Sequence, residues 1–214
     1  MGWTERRDGW RDEEVAAAYD ARRFRTPLQR AKHANDARIV ARLLGSVGAG
    51  LRVLDAPTGT GRMVPELLAE GHRVVGIDLS TAMLSRAAGG DAGTGFVGHA
   101  AGEIERLPFA SDAFDAAISL RFLFHARDRA VRVGLYRELA RVAPALVGHV
   151  RARGTLKHGG RWLRSRVGAA KRYRPAPTRA ITAAELAEAG WELVEYVPVS
   201  RAFSDKALFL ARRA

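Results

Sequence analysis

The chain has 214 residues, no cysteine, and 35 basic against 23 acidic side chains, a formal charge of +12 at neutral pH. That length suits one domain able to bury its own core, and the missing thiols exclude a disulfide framework, thiolate zinc sites and cysteine nucleophiles. No stretch reaches the ~18 apolar residues of a membrane span. The opening MGWTERRDGW is polar and acid-bearing rather than a secretory signal, and Arg6 breaks the myristoylation pattern, so the expectation is a cytoplasmic protein.

The first ~45 residues read as helical. Asp12 caps a segment with Glu13 and Glu14 in its first turn. Thr26-Pro27 marks a second helix, with Leu28, Ala31, Ile39 and Leu43 at helical spacing and Gly45 at its exit. From Leu51 short apolar runs alternate with helices. LRVLD (51–55) is a buried strand, then a glycine-bearing turn and the helix MVPELLAE (63–70). RVVGID (73–78) is the second strand, and Ser80 caps a short helix carrying Met83, Leu84 and Ala87 that ends at Gly89-Gly90. GFVGHA (95–100), FDAAIS (114–119) and ALVGHV (145–150) follow as strands, with a helix from Asp128 through Leu139 before the last of them. Thr182 and Glu185 form a capping box for the final helix, which stops at Gly190. WELVEYVPV (191–199) and KALFLARR (206–213) lie too close for a helical crossover and read as an antiparallel hairpin. The pattern predicts an α/β doubly wound sheet of seven strands, parallel except for one strand of that hairpin, behind a helical N-terminal lid.

The chemistry concentrates in VLDAPTGTGRM (53–63). A strand ends in Asp55, and Gly59 and Gly61 open the next helix, where glycine lets backbone approach a ligand. The following strand ends in Asp78, 19 residues after Gly59, the place where a carboxylate accepts from both hydroxyls of a ribose. A phosphate loop avoids carboxylates, because like charges a few ångströms apart repel. Asp55 sits directly before this loop, and the dinucleotide fingerprint fails at Val64, which disfavours a nicotinamide-dependent reductase. An acid there suits a cationic ligand carrying an ammonium and a sulfonium, which points to S-adenosylmethionine (SAM).

Four segments together carry a resemblance: VLDAPTGTGR (53–62), VVGIDLSTAML (74–84), GEIERLPFASDAFDAAIS (102–119) and LYRELARVAPA (135–145). In order and spacing they resemble the class I SAM-dependent methyltransferases, in the type 11 group typified by ubiquinone and menaquinone biosynthesis enzymes. The resemblance implies a Rossmann-like fold. It implies that Asp55, Gly59 and Gly61 hold the methionyl part of SAM, with Thr58 and Thr60 lining the loop. Asp78 would bind the ribose, Leu79 and Met83 would pack near the adenine, Glu103 would contact its amino group, and the backbone of Ile104 would face the ring. Leu120, Arg121 and Phe122 would line the methyl-transfer site, and Tyr19 with Arg23 would belong to a lid. Pro57 stands where the family usually has its first loop glycine, and Glu103 where it has aspartate.

Methyl transfer mainly needs a positioned nucleophile and excluded water, with a base only where the acceptor must lose a proton. His125, in RFLFHARD, is the candidate base by position. The fourth strand leads into SLRF rather than the motif that grips a nucleobase amino group, and no His/Asp/Glu spacing suggests a metal. The acceptor expected is a small molecule or lipid. Residues 151–179 carry ten Arg and Lys and no acid, with Trp162, Leu163, Val167 and Tyr173 interleaved; the rest of the chain holds 25 basic against 23 acidic residues. That segment, the 151–180 lid between a 51–150 core and a 181–214 closing unit, suits an anionic membrane surface, an acidic or isoprenoid acceptor, or RNA. An RNA methyltransferase and a non-catalytic SAM-binding subunit are the alternative readings. Arginine-rich composition is the competing explanation, since only four of the basic residues are lysines.

Overall fold

Seven short apolar runs become strands because each is bounded by turn residues within eight positions, too short to compete as a core helix. The computed structural model describes residues 26–87, 95–152, 177–200 and 204–214. Its elements are α1 (Pro27–Gly45), β1 (Arg52–Asp55), α2 (Val64–Ala69), β2 (Arg73–Asp78), α3 (Thr81–Ala87), β3 (Phe96–Ala101), β4 (Ala116–Ser119), α4 (Arg129–Val142), β5 (Ala145–Arg151), α5 (Arg179–Glu188), β6 (Trp191–Pro198) and β7 (Lys206–Arg213). One 3-10 turn, Leu123–His125, follows β4.

The strands form a single sheet in the order β3-β2-β1-β4-β5-β7-β6. β7 is antiparallel to both β5 and β6, so the remaining six strands share one direction. Side chains alternate across the pleat and build two cores. Leu54, Ala117, Leu146 and Phe209 face the layer of α4 and α5, packing with Tyr136, Leu139 and Leu186. Val53, Ile118, Val147 and Leu208 face the other layer, packing with Val40, Leu43 and Leu44 of α1 and Leu67 of α2. The chain steps outward from β1 to β2 and β3, then crosses back to place β4 on the other flank of β1. That reversal opens a crevice beyond the carboxyl ends of β1 and β4, the usual ligand position in such sheets.

Two expectations need correction. The last helix starts one turn earlier than the capping box predicts: Thr178 is its cap, accepting from the Ile181 amide. Thr182 and Glu185 lie inside the helix and are buried. Thr182 donates to the Thr178 carbonyl, and Glu185 accepts from Arg132 of α4 at 2.8 Å. Glu185 is thus the counter-ion of a half-sealed arginine, a demand from another helix that local spacing cannot show. In α1 the Thr26 cap is as expected, here in a reciprocal box with Gln29. Its buried stripe, however, is Asp36, Ala37, Val40, Leu43 and Leu44, while Leu28 and Ala31 stay exposed. The helix opened by Asp12, Tyr19 and Arg23 within it, the Gly89-Gly90 stop and residues 153–176 of the basic segment lie outside the described residues.

Candidate functional site

β1 delivers Asp55 to the crevice with 2% of its surface exposed. The chain turns there through a cis Ala56–Pro57 bond. It is braced on both sides: the Ala56 amide donates to Ile118 of β4 at 3.0 Å, and the Thr58 amide to Ile77 of β2 at 2.8 Å. The Thr58 hydroxyl donates to Asp55 Oδ2 at 2.9 Å. One residue on, the Gly59 amide donates to Asp78 Oδ2 at 2.8 Å, while the Ser80 amide reaches Asp78 Oδ1 at 2.9 Å. Gly59 and Gly61 adopt φ of 60° and 70°, left-handed conformations that cost other residues energy.

Burial decides the charge state of this pair. Desolvation pushes Asp55 up to about 7, opposed by the Thr58 hydrogen bond, reinforced by the charge of Asp78 and opposed again by Arg62. Asp78 is also raised by burial, against the pull of the Ser80, Gly59 and Leu79 amides. A buried acid poised near neutrality beside a second acid is a site that gains from a cation.

Around these two acids lies a cleft of about 240 Å³. The loop contributes Asp55, Thr58, Gly59 and Thr60; the end of β2 and the start of α3 contribute Asp78, Leu79 and Met83. The turn after β3 brings Glu103 and Ile104, and the segment after β4 brings Leu120, Arg121, Phe122 and His125. Gly61 does not line it. A Cβ there would stand 3.0 Å from the Ala87 Cβ, so this glycine serves the packing of α3 against the loop. Tyr19 lies outside the described residues.

Sequence reasoning missed the contribution of α1, whose His33 and Asp36 face the same cleft three residues apart on one helix face. Asp36 pairs with Arg121 Nη2 at 2.8 Å, the two side chains 9% and 15% exposed. His33 Nε2 meets Glu66 Oε1 of α2 at 2.6 Å. Burial pushes Glu66 up, but the His33 hydrogen bond and nearby positive charge leave it below its ordinary range. Pro57, Arg62, Met63, Ile77, Gly102 and Glu105 complete the missed lining. The visible signal was Asp36 itself, a charged residue in phase with Ala37, Val40 and Leu43.

The sheet order, with an acid-flanked glycine loop at its switch point, is a Rossmann-like arrangement shared with solved methyltransferase structures. Residues 53–144 match the family described as "Methyltransferase domain". The chain is similar to the demethylmenaquinone methyltransferase of Mycobacterium sp. (strain KMS), 38% identical over 96 residues, 45% of this chain and 38% of that one. It is also similar to the malonyl-(acyl-carrier protein) O-methyltransferase of Erwinia pyrifoliae, 44% identical over 68 residues, 32% of this chain and 25% of that one. The chain thus spans well under half the length of the curated relatives it matches. Among solved structures, magnesium protoporphyrin IX methyltransferase from Synechocystis PCC 6803 with bound SAH shares the fold, with a TM-score of 0.73 at 21% identity over 99% of both chains. Among the described residues no helix is long and apolar enough to cross a membrane.

Proposed function

We propose that this chain is a SAM-dependent methyltransferase acting on a small-molecule or lipid acceptor. The observation that carries the reading is the joined acid pair: Asp55 near neutrality under the loop, and Asp78 tied to the Gly59 amide beside it. The residues present fit SAM. Asp55 with Thr58, Gly59 and Thr60 would take its ammonium and carboxylate, and Asp78 its ribose hydroxyls. Leu79, Met83, Glu103 and Ile104 would take the adenine. When bound, SAM supplies an electrophilic methyl group on a sulfonium. The chain's own part is to hold that group against the acceptor, which Leu120, Arg121, Phe122 and His125 would surround, and to keep water out.

The basic segment 151–179 supports an acidic or membrane-resident acceptor such as an isoprenoid-lipid intermediate, because ten basic and no acidic residues run there from the end of β5 to the start of α5. The test is calorimetric titration with S-adenosylhomocysteine, followed by labelling of cell extract with isotopic methyl-SAM. Label in the lipid or metabolite fraction supports the reading. Label confined to RNA would replace it with an RNA methyltransferase, and binding without transfer to any fraction would make the chain a SAM-binding subunit. A chain that does not bind S-adenosylhomocysteine would sink all three.

A further inference from the structure

We propose that Arg121 is the anchor for a carboxylate carried by the acceptor, and that Asp36 is the internal carboxylate which occupies that anchor until the acceptor arrives. The proposal rests on the methyl-transfer reading and deepens it by naming the chemical class of the acceptor.

Charge distribution in the cleft is the first argument. Asp55, Asp78, Glu103 and Glu105 all line it, and an anionic acceptor is repelled from that side. Arg121 comes immediately after β4, across the switch point from Asp78. The other arginine of the lining, Arg62, already acts on Asp55 from the loop. Arg121, held by Asp36, is therefore the cation an acidic acceptor meets apart from those four acids.

Unused hydrogen-bonding capacity is the second. A guanidinium carries five N–H donors arranged to meet both oxygens of one carboxylate. The contact with Asp36 is one bond, from Nη2 to Oδ2 at 2.8 Å. Among the described residues, Nε and Nη1 have no hydrogen-bond acceptor, and neither is fully buried. A fork that is half-used and opens onto a ligand cavity is built to receive a second acceptor group. Asp36 meanwhile keeps a largely buried cation from standing unpaired.

Backbone conformation is the third. Arg121 sits at φ 60°, a left-handed conformation that non-glycine residues adopt at a cost. Glycine would occupy this turn without strain, yet an arginine is held there and its side chain reaches the cleft.

The test uses benzoate and glutarate as probes, with benzamide and glutaramide as neutral controls, in ligand-observed NMR titrations of the chain with and without S-adenosylhomocysteine. The unaltered chain is expected to bind each acid at least tenfold more tightly than its amide. Arg121→Gln should erase that preference, and Arg121→Lys should keep part of it. Asp36→Asn should bind the acids several-fold more tightly, because the competing carboxylate is gone. Equal binding of acids and amides by the unaltered chain, full acid preference in Arg121→Gln, or weaker acid binding in Asp36→Asn would each overturn the proposal. Absence of S-adenosylhomocysteine binding by the unaltered chain would instead overturn the methyl-transfer reading, and the titrations without it then judge the carboxylate anchor alone.

Discussion

The Gly59 amide donates to Asp78 Oδ2 at 2.8 Å, so the loop that leaves β1 is tied directly to the acid that ends β2. Asp78 also accepts from the Ser80 amide through its other oxygen. A carboxylate offers about four lone-pair sites, so acceptor capacity remains for a ribose after the loop is held. Asp78→Ala should therefore lower stability by about 1–3 kcal/mol and weaken S-adenosylhomocysteine more than tenfold. Asp78→Asn keeps one acceptor and should lose roughly half as much stability with a similar loss of ligand. Urea melts and calorimetric titration separate the two effects; an intact ligand affinity in both variants would remove Asp78 from the ribose role.

The acids at the ends of β1 and β2 are legible in the sequence because each follows its strand without a gap, and strand ends fix where a side chain emerges. The same holds for Arg121 and His125, which trail β4 by a few residues. His33 and Asp36 were not legible in that way. Their part in the cleft depends on how α1 docks onto the sheet, a long-range outcome set by Val40, Leu43 and Leu44 against strands far away in sequence. Glu185 misled for a related reason: its spacing from Thr182 copies a cap, while its buried partner Arg132 lies 53 residues off. Local patterns show where an element can start. They do not show which charge a neighbouring layer needs.

Asp55 makes ligand binding pH-dependent. In the free chain burial holds it at about 7, against an ordinary value of 3.8. A cationic ligand favours the ionised form, so binding should release a proton at slightly acid pH. Affinity should fall by up to tenfold per unit below about pH 7. Calorimetry at pH 6.5 in two buffers of different ionisation heat measures the released proton directly, and a buffer-independent heat would contradict the role.

The same acid affects stability with a defined sign. Because the folded state holds a proton that the unfolded chain loses above 3.8, ligand-free stability should decline as pH rises from there to about 7, then level off. The full effect is on the order of 4 kcal/mol. Asp55→Asn should flatten that slope in urea melts; a slope unchanged in the variant would assign it to other groups.

Gly61 offers a substitution that separates shape from binding. Its φ of 70° opposes any side chain, and so does Ala87, whose Cβ would lie 3.0 Å from an alanine Cβ at this position. Gly61→Ala should cost about 1–2 kcal/mol, from the left-handed backbone and the crowding of α3. Since Gly61 does not line the cleft, S-adenosylhomocysteine affinity measured well below the melting temperature should stay within a few-fold. A hundredfold loss of affinity with stability unchanged would move Gly61 into the ligand contacts.

His149 should be the source of acid sensitivity on the β5 side of the sheet. It is 1% exposed, and neither ring nitrogen has a hydrogen-bond partner among the described residues. The Phe124 ring stands edge-on to it at 5.8 Å. Burial, with the positive charges of Lys206 and Arg121 added, holds its pKa well below the ordinary 6.5. The folded chain therefore keeps a neutral imidazole while the unfolded chain takes up a proton below 6.5. Stability from this group is whole above that pH and is lost as pH falls beneath it. His149→Leu removes the titration and also the two unpartnered nitrogens. Between pH 7.5 and pH 5 the unaltered chain should lose more stability than the variant in urea melts. Comparing the two proteins cancels the opposite slope of Asp55, which both retain, so equal losses would mean that the imidazole is not held neutral.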